Sequence, residues 1–319
     1  MKVVRISPRG YCYGVVDAMT LATQVAGRDD LPRPIWVLGM IVHNRFVVEA
    51  FERLGIRTLD GDDRLALLDQ VDSGTVIFTA HGVSPAVRAK AAAKGLTAID
   101  ATCPDVNRTH VLIANKVAQG FEIVYIGKHG HPEPEGAQGV APEHVHVVQT
   151  EADVAGLADD LGRGQDGVRR IVVANQTTMS QWDTADLREL VLTRFPDAQV
   201  HNEICDATQV RQDAVARQVR GADLCIVVGD PKSNNTARLA QVAQDVAGVP
   251  ALRVSSAQEL DPARLRPCTV VAVTSGASTP TPVTRQVIEY LEQFDANDAS
   301  TWPLPAEIDL ERLLPMVRP

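Results

Sequence analysis

Aromatic side chains are scarce in this chain of 319 residues, only 4% of the total, so its core must rest on Val, Ile, Leu and Ala. Positive charge is short as well. Lys and Arg number 31 against 40 Asp and Glu, a formal net charge of -9, which argues against a broad nucleic-acid footprint. No apolar run reaches about 18 residues, so no transmembrane helix is expected. The N-terminus, MKVVRISPRG, holds no long apolar stretch, so no secretory signal is expected. Five cysteines without such a signal fit reduced thiols in a cytoplasmic protein rather than a disulfide framework. The chain also lacks GxxxxGKS/T, and no GxGxxG follows a strand, so neither a P-loop nor a dinucleotide fingerprint is indicated. GHPEPEG lacks the helical HExxH spacing of zinc proteases, and its two prolines point to a loop.

What is present is ordered. Six apolar runs each end in a polar loop: PIWVLGMIVHN, TVIFTAHGVS, EIVYIGKHGHPE, RIVVANQTTMS, LCIVVGDPKSNN and TVVAVTSGAST. A short β-branched run, a turn and then a helical pattern is the grammar of a buried parallel strand in an α/β fold. The runs fall in pairs, and a loop cysteine precedes each pair: Cys12 in PRGYCYG, Cys103 in DATCPD and Cys205 in NEICDAT. This implies a structural repeat of roughly a hundred residues. The blocks run over about residues 1–102, 103–204 and 205–294, and a Pro-rich tail over 295–319 is expected to wrap the surface. The fold expected is α/β, three similar small domains with mainly parallel sheets.

Open parallel sheets bind ligands beyond the carboxyl ends of their strands, where all these loops lie. The loops offer His43, His81, His129, His131, Glu133, Asn175, Gln176, Thr177, Thr178, Ser233, Asn234, Asn235, Ser275, Ser278 and Thr279. Imidazoles, hydroxyls and amides suit phosphate-type oxygens. Each also has a plainer reading: Ser and Asn before a helix are usually caps, a His beside Gly is often a turn residue, and Glu133 between two prolines could simply brace its loop. His110, His144, His146 and His201 are expected on the surface or in packing, and Trp36 in the core. Three loop thiols meeting at one point would form an incomplete metal site with a position left for substrate. Zinc with a water is chemically possible there. Cys225 and Cys268 lie in strand-like apolar runs and read as core thiols.

PRGYCYGV, VHNRFVV, TAHGVS, DATCP, GHPEPEG, NQTTMS, EICDATQVRQ, VVGDPKSNN and GASTPTP, in that order, closely resemble the 4-hydroxy-3-methylbut-2-enyl diphosphate reductases, iron–sulfur enzymes that end the methylerythritol phosphate route to isoprenoids. The likeness covers nearly the whole chain. It implies three domains in a pseudo-threefold arrangement around a central 4Fe-4S cluster, held by Cys12, Cys103 and Cys205 with one open iron. It also implies that His43, His81, His131, Ser233, Asn234, Asn235 and Ser278 hold the substrate's diphosphate. Glu133, with Thr177 and His131, would supply a proton, and reduced ferredoxin or flavodoxin the electrons. The family loop often written SKNSSN here reads DPKSNN, and TQTT reads NQTT. Two other classes of function remain at this stage: a hydratase using the open iron without net electron transfer, and an iron–sulfur sensor without turnover.

Overall fold

The computed structural model describes residues 1–310, 313 and 314. Twelve strands are present among them: β1 (Lys2–Arg5), β2 (Ile35–Leu38), β3 (Ile56–Leu59), β4 (Thr75–Phe78), β5 (Thr97–Asp100), β6 (Glu122–Ile126), β7 (Val145–Val148), β8 (Ile171–Asn175), β9 (Gln199–Val200), β10 (Leu224–Val228), β11 (Ala251–Val254) and β12 (Val270–Ser275). They form three four-stranded sheets ordered β1-β12-β10-β11, β3-β2-β4-β5 and β7-β6-β8-β9. Every pair is parallel. Parallel neighbours require crossover connections, and helices supply them. The expected α/β class with three parallel sheets is what the chain adopts.

The six apolar runs become the two inner strands of each sheet. β4, β8 and β10 are buried along their whole length, because helices cover both faces. The other six strands lie at sheet edges and are partly or wholly exposed, so polar or charged residues interrupt their apolar ones and they do not read as runs.

Two compact units divide the chain. One contains Met1–Val16, Val42–Arg53 and the chain from Asp206 onward, and so holds the first of the sheets named above. In its core Leu224, Ile226, Val228, Val271 and Val273 pack with Val283, Val287 and Leu291 of the helix Thr281–Gln293. The other, Asp17–Ile41 with Leu54–Cys205, holds the remaining two sheets. Strand β1 departs from the expected block of 1–102: it hydrogen-bonds to β12, in register Val3 to Val271, and thus joins the sheet of the 205–294 block. The four residues KVVR are too short and too charged at their ends to announce that pairing.

The tail does more than wrap the surface. Leu310 and Leu313 are buried in the core of the first unit, and the side-chain amides of Gln258 and Gln286 bind the Ala306 carbonyl. Residues 311–312 and 315–319 lie outside the described residues. Trp36, expected in the core, is only partly buried; its indole N–H reaches the Ser73 carbonyl, and Arg57 lies over its ring.

Entry into β4 depends on Gly74. Its φ is +105°, and a Cβ there would sit 2.1 Å from the Pro34 carbonyl oxygen. Gly74→Ala therefore meets both a conformational and a steric penalty, and is expected to lower unfolding free energy by roughly 2–4 kcal/mol in a urea titration.

Candidate active site

The loop GHPEPEG is the first departure among the site residues. It is a helix, Pro132–Gln138, with His131 as its N-cap. Its prolines sit in the first turn, where the missing N–H groups have no intrahelical partner to lose. This placement puts Glu133 at the second helical position, 2% exposed.

Glu133 is held from the end of β8. The Thr177 backbone N–H donates to its Oε1 at 2.6 Å, and the Thr177 hydroxyl to its Oε2 at 3.1 Å. Burial pushes the Glu133 carboxyl up to about 7, against the opposing pull of the two Thr177 bonds, and nearby Asp105 adds to the rise. A carboxyl with that affinity can hold a proton at neutral pH and release it. Tyr125, fully buried on β6, lies beside it. Burial first, then the charges of Glu133 and Glu203, keep the Tyr125 hydroxyl well above the usual tyrosine range and hence neutral.

The His131 ring is fixed by three neighbours. Its Nδ1 accepts the Glu133 backbone N–H at 3.1 Å and faces the Gln176 amide nitrogen at 3.2 Å. Two donors on Nδ1 place the ring proton on Nε2. Gln176, fully buried, is itself tied down: its Oε1 accepts the Lys128 N–H, and its Nε2 also reaches Thr178 Oγ1. The His81 ring meets His131 edge-on at 5.2 Å. His129 turns elsewhere, to Asp153 at 3.2 Å on the exposed side. Of the two histidines in KHGHPE, only His131 belongs to the buried cluster.

In the unit that holds β12, Ser233 caps the helix Asn234–Gln241 by accepting the Thr236 N–H. The Ser278 hydroxyl donates to the His43 carbonyl at 3.0 Å and lies 3.5 Å from Ser233 Oγ. Asn235 accepts the Ala277 N–H at 2.9 Å and reaches Thr208 through its amide. Asn234 is buried beside it, 4% exposed. Ser233, Ser278 and the His43 backbone are thus one hydrogen-bonded group, and Asn235 is tied beside it through Ala277, the residue before Ser278. Capping accounts for Ser233 alone; it does not account for the burial of the two asparagines and Ser278.

The three loop cysteines share one local design. Each sits at the start of a helix, and each backbone N–H docks on a carbonyl just past an inner strand. Cys12 binds Ala277 at 3.1 Å, Cys103 binds Ala80 at 3.0 Å, and Cys205 binds Thr177 at 3.1 Å. The helices are Tyr13–Ala26, Pro104–Ala118 and Asp206–Gln218. All three thiols are half-buried. Thr177 therefore holds Glu133 with its N–H and hydroxyl while its carbonyl holds Cys205. Arg211, 6% exposed, braces the Cys12 loop by donating to the Gly10 and Tyr11 carbonyls. Cys225 differs: it is fully buried, and burial pushes its thiol up to about 12. Cys268 precedes β12, at the end opposite the loops, and is only half-buried; burial and Asp223 raise its thiol. Among the described residues, no three His, Cys, Asp or Glu side chains are grouped tightly enough to hold a metal ion.

Sequence reasoning singled out most of these side chains but not the anchoring roles of Gln176 and Arg211, nor the place of Tyr125 beside Glu133. Gln176 was visible in NQTT without a sign of its partner. Arg211 and Tyr125 gave no signal, since an Arg in a helix and a Tyr in a strand are ordinary. His110 packs in the helix Pro104–Ala118 with Gly82 and Gly136 close around its ring, and burial pushes it down to about 4.

Fold and site together define an α/β protein with parallel sheets, a buried acid at one strand end, and hydroxyl and amide groups of the kind that bind phosphate oxygens. A model of the LytB protein family matches residues 3–292, and the chain belongs to that family. It is 61% identical over 318 residues, spanning all of both chains, to a 4-hydroxy-3-methylbut-2-enyl diphosphate reductase of Brevibacillus brevis. The reductase of the same name from Bacillus licheniformis is 58% identical, over 100% of this chain and 99% of that one. Among solved structures, the E-1-hydroxy-2-methyl-but-2-enyl-4-diphosphate reductase of Plasmodium falciparum superposes with a TM-score of 0.81 at 32% identity, covering 90% of this chain and 87% of that one. A second, described as the terminal enzyme of the non-mevalonate pathway, gives 0.62 at 28% identity, covering 92% of this chain and 100% of that one.

Proposed function

We propose that this chain is an oxidoreductase that removes the allylic hydroxyl of 4-hydroxy-3-methylbut-2-enyl diphosphate, giving isopentenyl and dimethylallyl diphosphate at the end of the methylerythritol phosphate pathway. The observation that carries the reading is Glu133: a fully enclosed carboxyl, oriented by Thr177 and protonatable near neutrality, on a chain that matches reductases end to end. The reaction breaks one C–O bond. The departing hydroxyl takes a proton and leaves as water, two electrons enter the organic fragment, and a second proton adds at either end of the allyl unit.

Hydroxide is a poor leaving group, so proton delivery is the step the protein must organise. Glu133 donates that proton, and Thr177 fixes the carboxyl's direction. His131, with its proton set on Nε2 by Gln176 and the Glu133 N–H, is a donor to the substrate's oxygens, as are His43 and His81. Ser233, Asn234, Asn235 and Ser278 hold the diphosphate end. The buried setting keeps water from competing for the proton.

A 4Fe-4S cluster is assigned to Cys12, Cys103 and Cys205. The donor chemistry fits: three half-buried thiols at helix starts, each with its backbone N–H docked just past an inner strand. When bound, the cluster supplies electrons and a Lewis-acidic iron for the hydroxyl oxygen. Reduced ferredoxin or flavodoxin is the proposed donor, and the cytoplasm the proposed compartment. Among the described residues, no helix is long and apolar enough to cross a membrane.

Anaerobically purified protein, assayed with the hydroxylated diphosphate and a reduced dye, is expected to yield both products. Conversion without any reductant would favour the hydratase reading, and iron-loaded protein that never turns over would favour the sensor. The same assay carries a pH test. Because Glu133 acts in its protonated form, turnover is expected to fall with unit slope as pH rises through about 7.

A further inference from the structure

A cavity of about 380 Å³ opens between β1, the end of β12 and the helix Thr281–Gln293. It shares no residue with the proposed active site. Three arginines line it, Arg5, Arg9 and Arg285. Arg5 is paired with Glu292; Arg9 and Arg285 enter no ion pair among the described residues. Glu289 also lines the cavity, so its walls carry one net positive charge on a chain of net charge -9. The Arg9 guanidinium donates to the Ile6 carbonyl at 2.8 Å and stands near Arg5, two like charges that a bound anion would relieve.

The wall between these arginines is polar and incompletely bonded. Ser275 is fully buried and Thr284 is 3% exposed, and both line the cavity. Among the described residues, Ser275 Oγ and Thr284 Oγ1 have no hydrogen-bond partner. A buried hydroxyl left without a partner costs about 1–3 kcal/mol, and native proteins keep few of them without a reason. The helix behind them has thirteen residues and begins with no side-chain cap, so the positive end of its dipole is not neutralised by a side chain.

We propose that this cavity is a second anion site and that it takes a phosphate or diphosphate group. Guanidinium forks and two hydroxyls offer more donors than the two oxygens of a carboxylate can use. The terminal oxygens of a phosphate or diphosphate can engage them together. A chain that binds a diphosphate substrate at one place would then sense phosphorylated ions at another.

The test is titration calorimetry of the cluster-loaded protein with inorganic diphosphate at low salt. Wild type is expected to bind two per chain. Arg285→Gln and, separately, Thr284→Val are expected to weaken one class of site at least tenfold while leaving turnover and the other class unchanged. Ser278→Ala should weaken only the other. Competition separates the sources of the ligand: displacement from this site by inorganic phosphate marks a free ion as the occupant, displacement by isopentenyl diphosphate alone marks an organic diphosphate, and either supports the site. Diphosphate binding that is indifferent to both cavity variants overturns the proposal, whereas a single wild-type site that Arg285→Gln and Thr284→Val weaken keeps it and counts instead against diphosphate binding at Ser278.

Discussion

Glu133→Gln is expected to cut turnover by two to four orders of magnitude while iron content and substrate binding stay near those of the wild type. The amide keeps an acceptor for the Thr177 N–H, now at 2.6 Å from Oε1, but carries no proton to give. The same substitution has a second signature of opposite sign, in stability. Burial raises the Glu133 carboxyl from 4.5 to about 7 in the folded protein. Between those values the folded chain binds more protons than the unfolded chain, so stability falls as pH rises through that window. By pH 8 the ionised carboxylate costs roughly 3 kcal/mol. Gln cannot ionise and escapes that loss. Melts of both proteins at pH 5.5 and pH 8 should show the wild type losing stability relative to the variant at the higher pH. A residue that served only to brace its helix would do the reverse, its removal lowering stability at every pH. Turnover within tenfold of wild type would remove Glu133 from the role of acid.

Why some of this was readable in the sequence and some was not follows from burial. Inner strands such as β8, IVVAN, are covered on both faces and must be apolar throughout, so they stand out as runs. Edge strands such as β5, TAID, alternate between exposed and half-buried and look like any loop margin. β1 adds a second difficulty, since it pairs with a strand 268 residues further along the chain, and local pattern carries no trace of a distant partner. The site divides in the same way. Polar groups just past apolar runs are visible because burial there is unusual for their type, which is how His131, Glu133, Thr177, Ser233, Asn235 and Ser278 could be named. The groups that orient them are visible only in three dimensions. Gln176 reaches His131 across 45 positions, and Arg211 reaches Gly10 across 201. GHPEPEG misled for a local reason: proline forbids a helix interior and favours a first turn, and the sequence does not say which of the two is present.

Replacing Cys12, Cys103 or Cys205 by Ser is expected to remove most of the cluster, with iron and sulfide well below half of the wild-type content and turnover lost. A serine alkoxide is a harder and much less available ligand for iron than a thiolate, and under the proposed assignment each of the three thiols would supply one corner of an incomplete ligand set. The control is built into the chain. Cys225→Ala and Cys268→Ala should keep iron and turnover. Cys225 is fully buried in β10, with its thiol pushed up to about 12, and Cys268 lies at the opposite end of β12 from the loops. Cys225→Ser adds a discriminating case. It places a hydroxyl at a fully buried strand position, so it should lower stability by about 1–3 kcal/mol without removing iron from the protein that remains folded. The three ligand variants differ from it in the other direction, because their side chains are half-buried and each Cys backbone N–H bond, to Ala277, Ala80 or Thr177, survives the substitution. Iron loss without loss of apo-protein folding at positions 12, 103 and 205, set against stability loss without iron loss at 225, separates ligation from packing. Equal iron loss at all five positions would mean that misfolding, not ligation, governs the metal content, and the assignment of the three thiols would fall with it.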